Sequence, residues 1–403
     1  MAVGESPLPR LHPVPGLRLG TVSAGVRKVG EPDLVVMVLD EGSRVAGVFT
    51  RNQFRAAPVR SAEAHLRDDA PRALMINTGN ANAGTGPAGD RAVERTCARL
   101  ASILGCRSSQ VIPYSTGVIG EPLPAERIDA ALPAAVDALS ENGWAAAADG
   151  IRTTDTRPKG RSCRLALQAG PVTLTGIAKG SGMIRPDMAT MLAYVATDAD
   201  IDQPLLRRLL RDAVAVSFNR ISVDGDTSTN DACALIATGA SGIQLSAEAD
   251  IRRFADALEA LCIDLAREIV ADGEGATREL AVRVTGAGSV AEAEQVAFTV
   301  AESPLVKTAL FAGDPNWGRI LAAVGRVGID DLEVDRVRIH IDDCPIVEAG
   351  GLSPDYRESV AAERMAADRV TFRIDLDRGH HEVTVWTCDF SYDYVRINAE
   401  YRS

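Results

Sequence analysis

The segment Lys179-Gly180-Ser181-Gly182-Met183-Ile184-Arg185-Pro186-Asp187-Met188-Ala189-Thr190-Met191-Leu192 brings a small residue up against a threonine after a glycine-rich, proline-bearing approach. Those residue types suit self-cleavage. The Thr190 hydroxyl attacks the Ala189 carbonyl, the chain opens into an ester, and hydrolysis leaves Thr190 as a new N-terminus. Such a terminus carries a hydroxyl nucleophile and, on the same residue, an amine to serve as its base. No other nucleophile–base pair stands out in the sequence. The dipeptide alone reads equally as a threonine opening a buried strand from Met191 to Val195.

Acyl transfer through Thr190 also requires oxyanion donors and groups that hold an amino-acid substrate. Ser115-Thr116-Gly117 offers donors: a glycine lets backbone approach the reacting carbon, and an N–H or hydroxyl faces the developing charge. From composition alone the same triplet is a strand-ending turn. Lys179, in its glycine-rich loop, suits a substrate carboxylate, although such a lysine is commonly just solvated. Asp155-Thr156-Arg157-Pro158-Lys159 is a second polar loop. Glu274, between Gly273 and Gly275, reads as an exposed carboxylate or as a partner for a substrate ammonium through a charge-assisted hydrogen bond. The run from Ser217 to Asp231 is dense in acids and hydroxyls but lacks calcium-loop spacing. The glycine-rich GIAKGSGM lacks the order of a phosphate-binding P-loop.

These segments, taken in order, closely resemble those of the ornithine acetyltransferase family, which recycles acetyl groups in arginine biosynthesis. The resemblance runs from Leu17-Arg18-Leu19-Gly20-Thr21 through Ala46-Gly47-Val48-Phe49-Thr50, Ser115–Gly120, Asp155–Lys159, Lys179–Leu192, Ser217–Asp231, Asp272–Thr277 and Asp314–Arg319 to the last residue. It implies cleavage between Ala189 and Thr190, giving an α chain of residues 1–189 and a β chain of residues 190–403. It implies an oxyanion hole at Thr116 and Gly117, and substrate contacts at Thr156, Lys179, Thr190, Glu274, Asn398 and Ser403. The implied reaction is ping-pong: Thr190 takes the acetyl group from N2-acetyl-L-ornithine and passes it to L-glutamate. Some members also accept acetyl-CoA as a co-substrate, and the family uses no other cofactor. Members assemble from paired α and β chains, so a heterotetramer is expected. Three positions depart from the family pattern: Asp187 stands in place of asparagine, Arg55 of cysteine, and Arg278 of lysine. Asp187 lies three residues from Thr190 and bears on the cleavage rate. Two other readings fit a self-processed threonine: an N-terminal-nucleophile aminopeptidase or amidase that passes the acyl group to water, and a specialised acyltransferase of secondary metabolism.

The elements that must position these residues are read from periodicity. Leu34–Leu39 is nearly all apolar and so is expected to be a strand buried on both faces. Strands are expected at Ala46–Thr50 and Ala73–Ile76, with irregular chain from Asn77 to Gly84. Val93, Cys97, Leu100 and Leu104 share one helix face, ended by Gly105. A helical pattern from Ala125 to Leu139 contains Pro133, which should kink or divide it. Asp202 should cap a helix over Pro204–Ser217, and the longest helix should span Ser246–Val270. Val370, Phe372, Ile374 and Leu376 alternate with polar residues, as do Val337, Ile339 and Ile341, marking half-buried strands. Asp377-Arg378-Gly379 before His380-His381 reads as a hairpin turn, and the tail from Ile397 as a strand. Strands and helices mix without a strict βαβ rhythm. The expected fold is α+β, layered sheets covered by helices, of the self-cleaving N-terminal-threonine nucleophile type.

The chain has 403 residues, long enough for two or three domain-sized units. With 55 acidic and 43 basic residues its net charge is -12, which argues against nucleic-acid or anionic-membrane partners. The seven cysteines are scattered and form no CxxC pair, so reduced thiols are expected. The five histidines have no zinc-binding spacing, so no metal is expected. There is no basic segment followed by an apolar run at the start and no unbroken apolar stretch of about 18 residues, so a cytoplasmic protein is expected.

Overall fold

The computed structural model describes residues 3–4, 7–27, 30–185 and 191–400. Ala189, Thr190 and Ser403, together with Asp187, lie outside the described residues. The chain divides into two compact units, Pro7–Asn219 with Thr227–Ile269, and Arg220–Asp226 with Val270–Ser403 and the N-terminal residues.

The larger unit is built, in chain order, from β1 (Leu17–Val22), β2 (Leu34–Leu39), β3 (Arg44–Phe49), α1 (Ala57–Asp68), β4 (Ala73–Asn80), α2 (Gly86–Leu104), β5 (Val111–Val118), α3 (Ala125–Asp137), α4 (Trp144–Gly150), β6 (Lys159–Leu167), β7 (Gly170–Lys179), β8 (Leu192–Thr197) and α5 (Gln203–Val216). After β9 (Ile221–Ser222), which belongs to the smaller unit, come β10 (Ala232–Ala237) and α6 (Glu248–Ala271). One sheet has the order β1-β2-β4-β5 and a second the order β3-β10-β8-β7-β6. The apolar run of β2 now has its cause. Val35, Met37 and Leu39 share a core with Ile177, Tyr194 and Ile236 of the second sheet. Leu34, Val36 and Val38 pack against Val93, Cys97 and Leu100 of α2 and Ile128 and Leu132 of α3. Successive side chains of a strand point to opposite faces, so a strand covered on both sides has no polar position. The α5 helix packs on β3 and β10, and an added Cβ at Gly176 of β7 would stand 2.9 Å from Leu261 of α6. The unit is therefore four layers, helix–sheet–sheet–helix.

The smaller unit contains β9, then β11 (Glu279–Ala287), α7 (Val290–Ala301), α8 (Pro304–Ala312), α9 (Trp317–Gly325), β12 (Arg338–Ile341), β13 (Cys344–Glu348), β14 (Gly351–Leu352), α10 (Glu358–Met365), β15 (Arg369–Asp375), β16 (His381–Cys388) and α11 (Tyr392–Ala399). Its strands form one sheet of order β14-β13-β12-β15-β11-β16-β9. Val370, Phe372 and Ile374 of β15 join Val296, Val300, Ile320, Val324 and Ala361 in one core beneath α7, α9 and α10. Arg369 and Arg373 on the opposite face are exposed, the alternation expected of a half-buried strand.

Both helix caps read from the sequence are present. Asp202 accepts the Leu205 N–H at 2.8 Å, and Gly105 closes α2 with φ of 69°, a left-handed conformation that glycine adopts without strain. Four local readings are corrected. The chain beyond Ile76 is not irregular at once: β4 continues to Asn80, because β5 runs parallel beside it, pairing Asn77 with Ser115 and Thr78 with Thr116. Its polar side chains are satisfied there, Asn77 accepting from Ser115 Oγ at 2.6 Å and donating to the Asn80 carbonyl at 2.9 Å. Pro133 neither divides α3 nor ends it. It lies on the exposed face, so the carbonyl four residues earlier loses its helical donor on the side open to solvent. Residues 377–379 are not a hairpin turn. β15 and β16 flank β11, one parallel and one antiparallel to it, so the connection crosses the end of β11, and the Arg378 and Gly379 N–H groups both donate to the Gly286 carbonyl. The tail is a helix, α11, started by Ser391, whose hydroxyl accepts the Asp393 N–H, a helix-start signal the strand reading overlooked.

Candidate active site

Within the larger unit, Thr116, Gly117, Lys179 and the Thr156 loop gather at one end of the stacked sheets. Thr116 lies near the end of β5, with 8% of its surface exposed, and Lys179 closes β7 with 7% exposed. The Lys179 Nζ donates to Thr116 Oγ1 at 3.2 Å. Lys179 is also the register partner of Leu192 on β8, so the chain re-enters the sheet beside it two residues after Thr190. Met191 is buried, and its carbonyl accepts the Ala232 N–H at 3.0 Å. Gly117 has φ of 135°, and a Cβ there would lie 2.2 Å from the Gly79 carbonyl carbon. Only glycine lets β4 and β5 close up at this point.

A buried carboxylate ties the Thr156 loop to the residues after Lys179. Asp155 Oδ1 accepts from Lys159 Nζ at 2.6 Å and from the Gly180 N–H at 2.7 Å. Its Oδ2 accepts the Thr153 N–H at 3.0 Å. Thr154 and Ser181 hydroxyls meet at 2.8 Å. The exposed Thr156 is thereby carried on a loop stitched to the residues that follow Lys179. Burial by itself would raise the Asp155 pKa. The charges of Lys159 and Lys179 and the Gly180 N–H outweigh it and hold the carboxyl well below its ordinary value. Asp155 is therefore an anion wherever the protein is folded near neutrality.

In the smaller unit, Glu274 and Asn398 are brought together. Glu274 is 7% exposed, not an open carboxylate, and its Oε2 accepts from Asn398 Nδ2 at 2.9 Å. The same amide donates to the Tyr394 carbonyl at 3.0 Å. The Glu274 loop follows α6 and is held by side chains just before α11. Asp389 Oδ1 accepts the Thr277 and Arg278 N–H groups at 2.8 and 3.0 Å, and Ser391 Oγ donates to the Gly275 carbonyl at 2.5 Å. Gly275 has φ of 73°, and a Cβ on it would meet the Tyr394 nitrogen at 2.4 Å.

Among the described residues, no group of three or more His, Cys, Asp or Glu is placed to hold a metal ion, and no helix is long and apolar enough to cross a membrane. All seven cysteines are free.

The ArgJ family model matches residues 18–403, nearly the whole chain. The chain belongs to the ArgJ family. It is 53% identical, over the full length of both, to the arginine biosynthesis bifunctional protein ArgJ of Pseudomonas fluorescens, and equally so to that of Pseudomonas syringae pv. tomato. The crystal structure of the arginine biosynthesis bifunctional protein argJ of Bacillus halodurans is 41% identical with a TM-score of 0.50, covering 52% of this chain and all of the solved one. Membership in the ArgJ family bears out the resemblance drawn from the sequence motifs and makes this chain an acyltransferase of arginine biosynthesis. Sequence reasoning passed over several side chains that hold this ArgJ-family site. The Asp155–Lys159 pair spans a loop and the first residue of β6, where no periodicity announces it. Asp389 lies more than a hundred residues from the N–H groups it accepts, and only the fold reveals the contact.

Thr116→Ala is expected to leave the fold intact and lower kcat by about 100-fold, the usual cost of one oxyanion donor. Steady-state kinetics with unchanged thermal unfolding checks it, and an unaltered kcat removes Thr116 from that role. Glu274→Gln keeps an acceptor for Asn398 and removes the charge. It is expected to raise KM for the acetylated amino-acid donor by about 10- to 100-fold with kcat little changed, since a charged hydrogen bond contributes about 1.5–3 kcal/mol.

Proposed function

We propose that this chain transfers an acetyl group from N2-acetyl-L-ornithine to L-glutamate by a ping-pong route through Thr190. The observation that carries the reading is the contact of Lys179 with Thr116, at the sheet end where the chain continues from Thr190 into β8. In a first step the Thr190 hydroxyl attacks the Ala189 carbonyl, and water hydrolyses the resulting ester. The products are an α chain of residues 1–189 and a β chain of residues 190–403, which assemble as a heterotetramer in the cytoplasm.

In the mature enzyme the Thr190 amine accepts the hydroxyl proton as Oγ adds to the acetamide carbonyl. An unperturbed α-amino group titrates at about 7.7–8.0, close enough to neutrality for this work. Thr116 Oγ1 and the Gly117 N–H stabilise the oxyanion. The C–N bond breaks, the amine proton goes to the departing ornithine nitrogen, and acetyl-Thr190 remains. The glutamate amine then attacks that ester, and Thr190 Oγ leaves with the proton restored. Lys179 and Thr156 receive substrate carboxylate and polar groups, Glu274 with Asn398 receives an ammonium, and Ser403 completes the binding set. No prosthetic group takes part. Acetyl-CoA is a second donor in this reading, as the resemblance implies, its thioester acetylating Thr190 in place of acetylornithine.

Intact mass of the purified protein, before and after incubation with N-acetylornithine, tests the proposal. Two fragments divided at Ala189-Thr190, with one added acetyl on the C-terminal fragment, are the expected result. A single uncut chain without acetyl overturns it. Release of free acetate faster than transfer to glutamate would instead identify an amidase.

A further inference from the structure

Within the run from Ser217 to Asp231, which supplied no catalytic group, Asn230 grips the strand that carries Thr116. Its side chain is almost fully buried, at 6% exposure. Nδ2 donates to the Ala81 carbonyl at 2.6 Å and to the Ser115 carbonyl at 2.9 Å, which commits both amide hydrogens. Oδ1 accepts from Thr229 Oγ1 at 2.5 Å, and the backbone N–H donates to Ser228 Oγ at 3.1 Å. The Ser115 carbonyl belongs to the planar peptide that leads into Thr116, so fixing it fixes the Thr116 Cα from which Oγ1 projects and the chain continues to the Gly117 N–H. Ala81, the other acceptor, itself donates its N–H to the Val118 carbonyl at 2.9 Å. Asn230 therefore clamps the ends of β4 and β5 on either side of Gly117. Two residues further on, the Ala232 N–H donates to the carbonyl of Met191. One short segment thus ties the residue after Thr190 to the strand bearing the oxyanion donors.

We propose that Asn230 is a positioning residue for acyl transfer, holding Thr116-Gly117 in register with the start of β8. The inference rests on the assignment of Thr190 as nucleophile and Thr116-Gly117 as oxyanion donors. Both half-reactions pass through an oxyanion, so both should feel a loosened clamp equally, whereas a residue that binds one substrate would affect one.

The test is Asn230→Ala in the full, self-processed protein. Its readouts are single-turnover acetylation by N-acetylornithine, deacetylation by glutamate, and KM for each. The expected result is that both half-reactions slow by a similar factor, about 10- to 100-fold, with each KM within about twofold. In a Thr116→Ala background the same substitution should cost less than about threefold, because coupled residues are not additive. Unchanged half-reactions, a change confined to KM, or the full loss repeated in the Thr116→Ala background would each overturn the proposal. If Asn230→Ala fails to cut itself, Asn230→Gln, which keeps the amide on a longer arm, takes its place. Slowed half-reactions then support the clamp and wild-type rates overturn it. A wild-type protein that takes up no acetyl group would sink the Thr190 reading itself, while wild-type transfer with an unaffected variant removes only the clamp.

Discussion

Thr190→Ala is expected to remain one chain of 403 residues and to transfer no acetyl group, a loss of at least about four orders of magnitude. The proposed mechanism places three functions on this residue at once. Without the hydroxyl, the Ala189 carbonyl is not attacked and the chain stays closed. Without the cut there is no free amine to act as base. Without the oxygen there is nothing to carry the acetyl group between substrates. Thr190→Ser separates these functions, because serine retains both hydroxyl and amine. It should still cut itself and take up acetyl, with altered rates. Denaturing electrophoresis and intact mass decide both variants, and two fragments from Thr190→Ala would show that the nucleophile lies elsewhere.

The second large effect is expected at Asp155. Its ion pair with Lys159 is sealed from solvent, both side chains being 0% exposed. Asp155→Ala leaves a buried ammonium without its counter-charge and frees the Gly180 and Thr153 N–H groups. Removing one member of a buried pair costs about 3–5 kcal/mol, which for a unit of this size lowers Tm by roughly 6–20 °C. The loss has a definite pH signature. Because the folded carboxyl titrates below its ordinary value, its contribution is complete above the unfolded carboxyl pKa and disappears as pH falls through the folded one. Wild type and Asp155→Ala should therefore differ by a constant amount from about pH 5 to pH 8 and begin to converge only below about pH 4, the gap closing as the folded carboxyl is protonated. Thermal unfolding across that range checks it, and a gap that widens in acid would contradict the assignment. Activity should fall as well, since Asp155 joins the Thr156 loop to the residue after Lys179.

Much of the fold was legible where one physical cause dominated. β2 reads as a strand covered on both sides because six successive positions are apolar, and α6 announces itself by the stripe Phe254, Leu258, Leu261, Leu265 and Ile269, all buried. The reading failed where polar side chains are satisfied by partners distant in sequence. Asn77 and Thr78 look like loop residues, yet they continue β4 because β5 arrives beside them. The tail from Ile397 suggested a strand, but Ser391 caps a helix whose Asn398 reaches Glu274. The site followed the same division. Motif order pointed to Thr116, Lys179, Glu274 and Asn398, and the fold joins the first two and the last two. Asn230, Asp155 and Asp389 act by holding backbone in other parts of the chain, and such work leaves no spacing to read.

Under the proposed cleavage, the order β3-β10-β8-β7-β6 has a consequence for the processed protein. β10 and β8 follow residue 190 and are enclosed by β3 on one side and β7 and β6 on the other, all of which precede it. Cutting the chain at that point divides a sheet whose strands alternate in origin, so the precursor must fold before it is cut. Afterwards, unfolding separates two molecules instead of loosening one, and mass action enters. The melting temperature of the processed enzyme should rise with protein concentration, while that of an uncut variant should not. Cleavage as proposed would exchange a unimolecular folding equilibrium for a bimolecular one, and dilution would become a denaturant for the processed enzyme alone.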